Sequence, residues 1–220
     1  ERVTPRASGG YDITVQDLAT EQSRTEHYRA VLVCNGHHWN PRYPEFAGEF
    51  NGRCFHSHYY REPDQMKDEI VVVVGIGNSG VDLACDISHG AKQVYLSSRR
   101  SAHIFPRFVL GKTADKLVSP LSSRLPLPVQ SKLMEGLLYM TQGYQESYGV
   151  PKPAHALTAQ HPTMSAEILS RVAHGEVEMK PNISHLDGNV IHFEDGSYVE
   201  ADTLIYATGY QITFPFFDES

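Results

Sequence analysis

Three glycines carry the sharpest chemical signal in this sequence. Gly75, Gly77 and Gly80 have the spacing G-x-G-x-x-G. The spacing alone is weak. Here it follows the continuous β-branched run Ile70 to Val74 and precedes a stretch in which Val81, Leu83, Ala84 and Ile87 recur at helical intervals. Strand, tight turn and helix together are the context in which this motif holds a dinucleotide. Gly75 would make the turn, Gly77 would let backbone approach a pyrophosphate, and Gly80 would let helix and strand pack closely. The N–H groups of Asn78, Ser79 and Gly80 at the helix start would then bind the phosphates. The competing reading is a glycine-rich turn with no ligand.

The choice of nucleotide depends on the end of the next strand, Gln93 to Ser97. A site for NAD usually places Asp or Glu there to hold the ribose 2′-hydroxyl. This sequence has Ser97-Ser98-Arg99-Arg100 and no acid. Two guanidinium groups match the oxygens of a 2′-phosphate through charge-assisted, bidentate bonds. The expectation is NADP(H) over NAD(H), against the plainer alternative of a solvated basic turn.

Other groups carry less. His37-His38 and His56-x-His58 do not specify a third ligand, so no metal site is expected, and a hydrogen-bonded core histidine is the plain reading of His56. Cys34, Cys54 and Cys85 form no C-x-x-C pair, which argues against dithiol chemistry of the flavin disulfide reductase type. Their odd number and lack of metal-type spacing suit a reducing cytoplasm. The net charge of -7 and pI near 5.9 argue against a nucleic-acid partner. No run of about 18 apolar residues suggests a transmembrane helix. At 220 residues with 40% hydrophobic and 20% charged residues, the chain can bury a sizeable core in one large domain or two small ones. Glu1 opens the chain without an initiator Met, and Ser220 closely follows the apolar run 212–217, so a piece of a longer protein is expected.

The elements that position these residues follow from periodicity. Residues 11–18 alternate as a half-buried strand does. Residues 28–34 read as a second strand ended by Asn35-Gly36. Residues 70–100 form a β-α-β unit of the mononucleotide-binding kind. Val129 to Met140 reads as an amphipathic helix with Leu133, Met134, Leu137 and Leu138 on one side, within an inserted helical subdomain at 105–150. Its few basic residues favour a core or substrate-lining face over a membrane surface. Residues 176–206 read as a meander, with Asp187-Gly188 and Asp195-Gly196 as hairpin turns. Residues 203–207 form a buried strand ended by Thr208-Gly209. Residues 11–34 and 176–209 are expected to share one sheet region apart from the β-α-β unit.

Three ordered motifs carry a resemblance. Phe50, Gly52, His56, Tyr60 and Arg61 make F-x-G-x-x-x-H-x-x-x-Y-R; the Gly75–Gly80 loop follows; Ala207-Thr208-Gly209-Tyr210 closes the set. Together they resemble the flavin-containing monooxygenases, part of a larger class of flavoprotein monooxygenases that includes Baeyer–Villiger enzymes. The stretches His161-Pro162-Thr163 and Lys180-Pro181-Asn182 are similar to bacterial members. Tyr60-Arg61, where a Baeyer–Villiger enzyme favours Trp, points to the branch that oxidises heteroatoms.

The resemblance implies an α/β fold: a Rossmann-like NADP-binding domain at 49–180 with the insert at 105–150, flanked at 1–48 and 181–220 by parts of an incomplete FAD-binding domain. It implies NADP(H) and FAD as cofactors. NADPH reduces the flavin, which passes one atom of O2 to sulfur or nitrogen of a small molecule. His56 and Tyr60 would link the NADP domain to the active site. Gly36, Thr208 and Gly209 would lie by the FAD, with Thr208 and Gly209 at the hinge between domains. No catalytic acid or base is implied in this chain, and a homodimer is compatible. The family's first glycine loop has no counterpart in residues 1–69, which implies a fragment without turnover of its own. A stand-alone NADP-binding or sensing module and a Baeyer–Villiger-type enzyme are the alternatives.

Overall fold

The computed structural model of the protein describes residues 2–109, 111–113 and 125–217. The chain divides into two compact units, Glu1–Arg42 with Gly209–Ser220, and Tyr43–Thr208.

In the first unit β1 (Arg2–Pro5), β2 (Tyr11–Gln16) and β3 (Ser23–Tyr28) form an antiparallel sheet in that order. The β1–β2 turn uses Gly9 and Gly10 at φ 88° and 82°. A Cβ at Gly10 would lie 2.5 Å from the Tyr28 carbonyl oxygen, so the turn and the third strand need glycine there. Asp17 closes the β2–β3 turn by accepting from the Ala19 and Thr20 N–H groups at 2.8 and 3.1 Å. The C-terminal segment joins this unit through Val3 N–H to Phe216 O at 2.6 Å and Gln211 N–H to Asn40 O at 2.8 Å. One expected strand is different. β3 ends at Tyr28, and residues 30–34 have no regular structure, with Leu32 89% exposed. An apolar run becomes a strand only beside a partner, and among the described residues none pairs with it.

The second unit contains the remaining elements: β4 (Ala47–Phe50), β5 (Arg53–His56), β6 (Ile70–Val74), α1 (Asn78–Ile87), β7 (Gln93–Ser97), β8 (Ile104–Phe105), β9 (Phe108–Val109), β10 (Lys112–Thr113), α2 (Leu127–Gln142), β11 (Thr163–Met164), α3 (Ile168–Ala173), β12 (Val177–Lys180), β13 (Ile183–Gly188), β14 (Val190–Phe193), β15 (Tyr198–Glu200) and β16 (Thr203–Tyr206). Its centre is a five-stranded sheet in the order β12-β7-β6-β16-β5, parallel throughout. Val71 to Val74 are buried on both faces, as a central parallel strand requires. Val71 and Val73 pack with Val81, Ala84 and Ile87 of α1 and Ile168 of α3. Val72, Val74 and Leu204 pack with Ile183, Leu186, Ile191 and Phe193. These belong to a second sheet, β15-β14-β13-β4, so the parallel sheet lies between a helical layer and a β-layer. Each such valine contributes about 1.5–3 kcal/mol by leaving water. A smaller cluster of Phe105, Val109, Leu138 and Leu157 sits under the insert.

Two expectations are corrected. The boundaries fall after Arg42 and Thr208, not at 48 and 180, and residues 181–208 belong with residues 43–180. The cause is β16. It pairs in parallel with β6 and β5, at the heart of the unit that carries the glycine loop, and not with residues 11–34. Likewise β12 adds to the edge of that sheet, leaving only β13, β14 and β15 as the meander. The expected helix is present and two residues longer at each end, but Leu133 is 59% exposed while Met134, Leu137 and Leu138 face the insert's core. Part of the insert, residues 110 and 114–124, lies outside the described residues. No helix among the described residues is long and apolar enough to cross a membrane.

Candidate dinucleotide-binding site

The parallel sheet has a topological switch point. From β6 the chain runs through α1 to β7 and on to β12 on one side, then returns to β16 on the other side of β6. In open α/β sheets ligands bind at the carboxyl ends of the strands where the order reverses. The glycine loop occupies that place, directly after β6.

Each glycine has its own geometric reason. Gly75 has φ 118°, its N–H donates to Ser97 O at 2.8 Å, and a Cβ there would meet Ala207 O at 2.4 Å. At Gly80 a Cβ would lie 1.8 Å from Gly75 O. These two residues are set by internal packing of β6, β16 and α1. Gly77 is the opposite case. It is the N-cap of α1, and a Cβ there meets nothing within 4 Å. Its smallness serves no contact among the described residues and leaves room at the helix start. The first intrahelical bond is Val81 N–H to Gly77 O at 3.0 Å, so the N–H groups of Asn78, Ser79 and Gly80 form the open first turn. Such a turn attracts anions through its N–H donors and the helix dipole.

Asn78 has a second job. Its Oδ1 accepts from Met164 N–H at 2.8 Å, and Thr163 Oγ1 donates to Ile76 O at 2.7 Å. That bond fixes the side chain beside the helix start, where the backbone N–H and the Nδ2 amide are the groups able to donate to an anion. The bracing by Thr163 has no local signal in the sequence, since Thr163 and Ile76 lie 87 positions apart.

Arg99 and Arg100 stand exposed just past β7, next in the sheet to β6. Buried Ser97 donates from Oγ to Pro181 O at 2.7 Å, and Ser98 N–H donates to Lys180 O at 3.0 Å. These bonds tie the end of β7 to β12 and fix where the arginine pair leaves the sheet. Thr208 follows β16, so it stands at the switch-point edge; Gly209 and Gly36 fall in the other unit, both at positive φ, 81° and 69°. The Gly209 carbonyl accepts from Arg42 N–H at 3.0 Å.

The F-x-G-x-x-x-H-x-x-x-Y-R stretch is held by internal contacts. Gly52 admits the Asp202 carbonyl oxygen, which would lie 2.6 Å from a Cβ. His56 is fully buried at the end of β5, accepts from His58 N–H at 3.1 Å, and packs edge-on to Tyr43. Tyr60 donates to Asp86 Oδ2 of α1 at 2.6 Å. Burial, then that carboxylate, raises its phenol above the ordinary range. Arg61 closes the stretch on the His58 and Tyr60 carbonyls. His56 thus holds the turn that follows β5, and Tyr60 at its end ties that turn to α1, whose start carries the open turn.

A cavity of about 230 Å³ lies along α1, lined by Asp82, Cys85, Asp86, His89 and Arg107 among others. Its polar groups are engaged: Arg107 with Asp82 at 2.8 Å, Tyr60 with Asp86, and Arg171 with His89 Nε2 at 2.7 Å. Burial, with Glu167 nearby, pushes the Cys85 thiol up to about 11, which makes it a poor nucleophile. Among the described residues no cluster of His, Cys, Asp and Glu suits a metal ion.

For NADP(H), the residues present fit: an open N-cap glycine, a free-standing first turn and two exposed arginines on the neighbouring strand. For FAD they do not fit by themselves. Among the described residues the first unit holds strands and turns and no helix, so it offers no second helix start for a pyrophosphate.

Comparison with known proteins agrees with this geometry. The family described as "FMO-like: Flavin-binding monooxygenase-like" matches residues 3–220. Flavin-containing monooxygenase 5 of Rattus norvegicus is 37% identical, over 97% of this chain and 41% of the relative. Flavin-containing monooxygenase 3 of Canis lupus familiaris is 36% identical, with the same coverage. The chain thus spans about two fifths of the length of these relatives. Among solved structures, Tmm from Pelagibacter sp. strain HTCC7211 superposes with a TM-score of 0.60 at 23% identity, over 99% of this chain and 35% of that one. S-allyl-L-cysteine S-oxygenase from Allium sativum gives 0.60 at 22%, over 99% and 36%. Cyclohexanone monooxygenase bound to epsilon-caprolactone gives 0.66 at 12%, over 96% and 53%. At these identities the structural likeness establishes the fold, Rossmann-like with a parallel sheet. The family's members are enzymes that use FAD and NADPH and act on small molecules with O2. From the match of the family model across residues 3–220, the chain belongs to the flavin-binding monooxygenase-like family.

Proposed function

We propose that this chain is the NADPH-binding part of a flavin-dependent monooxygenase that oxygenates sulfur or nitrogen of small molecules. The observation that carries the reading is Gly77. It caps α1 at the sheet's switch point, and its missing side chain opens space that nothing among the described residues fills. The N–H groups of Asn78, Ser79 and Gly80 would hold the pyrophosphate, and Arg99 with Arg100 the 2′-phosphate. When bound, the nucleotide supplies hydride for reduction of the flavin. The chain's own part is to bind and orient it.

Gly36, Thr208 and Gly209 remain the positions proposed to face FAD, and His56 and Tyr60 those proposed to link the NADP domain to the active site, Tyr60 through its bond to Asp86 of α1. Residues 1–42 and 209–220 are proposed as the FAD-side portion. Support for the heteroatom chemistry comes from Tyr60-Arg61 and from the Allium sativum neighbour, named for oxygenating the sulfur of S-allyl-L-cysteine. The test is turnover by the protein as its gene encodes it. NADPH oxidation in air that is stimulated by a thioether or tertiary amine, with the sulfoxide or N-oxide as product, is expected. Oxidation of NADPH with no oxygenated product from either class would exclude the reading.

A further inference from the structure

The glycine loop is held from outside the β-α-β unit. β11 contributes two bonds to it: Thr163 Oγ1 to Ile76 O at 2.7 Å and Met164 N–H to Asn78 Oδ1 at 2.8 Å. Ile76 lies between the first two motif glycines, and Asn78 directly after the second. Thr163 is 3% exposed, and a buried hydroxyl needs such a partner.

β11 is itself fastened to the insert. It runs parallel to β8, with Thr163 opposite Ile104 and Met164 opposite Phe105. Thr163 N–H donates to His103 O and Ser165 N–H to Phe105 O, both at 2.9 Å. Phe105 and Met164 belong to the insert's cluster with Leu138 and Leu157. Buried Gln145 locks β8 from its other side: its Oε1 accepts from Ile104 N–H at 3.2 Å, and its Nε2 donates to Pro151 O at 2.7 Å. An unbroken chain of bonds therefore runs from the insert through β8 and β11 to the carbonyl of Ile76.

We propose that Thr163 is a positioning residue for dinucleotide binding: its hydroxyl, bridging β11 to the Ile76 carbonyl, sets the orientation of the glycine loop and couples the loop to the 105–150 insert. The inference rests on the reading of Gly75–Gly80 as the NADP(H) loop. The loop's task is to present N–H groups at fixed directions, and a peptide plane at Ile76 that can rotate carries the N–H of Gly77 with it. Pre-set donors bind an anion without reordering, and losing that order weakens binding without removing any contact to the ligand.

The experiment measures NADPH affinity calorimetrically in the protein as its gene encodes it, for wild type, Thr163→Val, Thr163→Ser and Gly77→Val. Thr163→Val keeps the shape and removes the hydroxyl, and should weaken NADPH binding at least about tenfold; Thr163→Ser restores the hydroxyl and should stay within about threefold of wild type. Gly77→Val fills the open space at the α1 start and should abolish binding. If Gly77→Val binds NADPH like wild type, the reading of the loop fails. If Gly77→Val loses binding while Thr163→Val keeps it, the loop is right and the positioning role is overturned. If Thr163→Ser loses binding as much as Thr163→Val, the hydroxyl is not the operative group and the proposal is also overturned.

Discussion

Gly80 and Gly77 differ by three positions and by everything in their surroundings. An added methyl at Gly80 runs into the Gly75 carbonyl oxygen at 1.8 Å, against backbone that cannot swing away. Gly80→Ala is expected to cost about 1–3 kcal/mol or more in denaturant unfolding. Gly77→Ala meets open space at φ -71°, where an alanine is at ease, and should leave stability unchanged or raise it by up to about 1 kcal/mol. If both substitutions cost the same, the division between packing glycine and ligand glycine is wrong. Among the described residues Arg99 and Arg100 have no such internal duty. The protein is expected to bind NADPH at least about tenfold more tightly than NADH, a difference of ~1.4 kcal/mol. Replacing both arginines by Ala should erase that preference while leaving NADH affinity in place, as read by calorimetry. Tyr60→Phe removes the bond to Asp86 and should cost about 1 kcal/mol, reduced from the value of a buried charged bond because the pair is part-exposed.

At the scale of elements, β6, α1 and β7 are written locally. The β-branched run, the glycine spacing and the helical recurrence all fall within residues 70–100, and each agrees with the others. The turns at Gly188 and Gly196, at φ 60° and 83°, were legible for the same reason. β16 was legible as a strand but not in its place. A continuous apolar run states that it is buried on both faces, and nothing in its periodicity says between which neighbours. Its partners β6 and β5 lie more than a hundred positions earlier. The bond from Thr163 to Ile76 was out of reach for that reason too. Tyr206 on β16 gives an element-level test. Burial, then its bond with Cys54, raises the Tyr206 phenol, as burial raises that of Tyr60. A raised phenol favours the native state below the ordinary tyrosine value of about 10, and that stability fades as pH climbs past it, because the unfolded chain releases protons the folded one keeps. Ultraviolet titration should show a late-ionising tyrosine fraction that shrinks in Tyr206→Phe. Its ionisation together with the exposed tyrosines would remove β16 from the core position described.

The whole molecule is one large α/β unit and one small β unit, and their cofactor potential differs. The large unit carries a helix start at a switch point; among the described residues the small one has no helix. The 220-residue chain expressed by itself is therefore expected to be colourless and to retain NADP(H) affinity, with no flavin absorbance after purification. A yellow preparation would mean that Gly36, Thr208 and Gly209 suffice for FAD. The central claim is that the α1 start holds the pyrophosphate of NADP(H). A crystal structure with NADP+ tests it most directly. The account places the pyrophosphate within hydrogen-bonding distance of the N–H groups of Asn78, Ser79 and Gly80, with the 2′-phosphate on Arg99 or Arg100. A nucleotide bound elsewhere, with the space over Gly77 filled only by solvent, would contradict it.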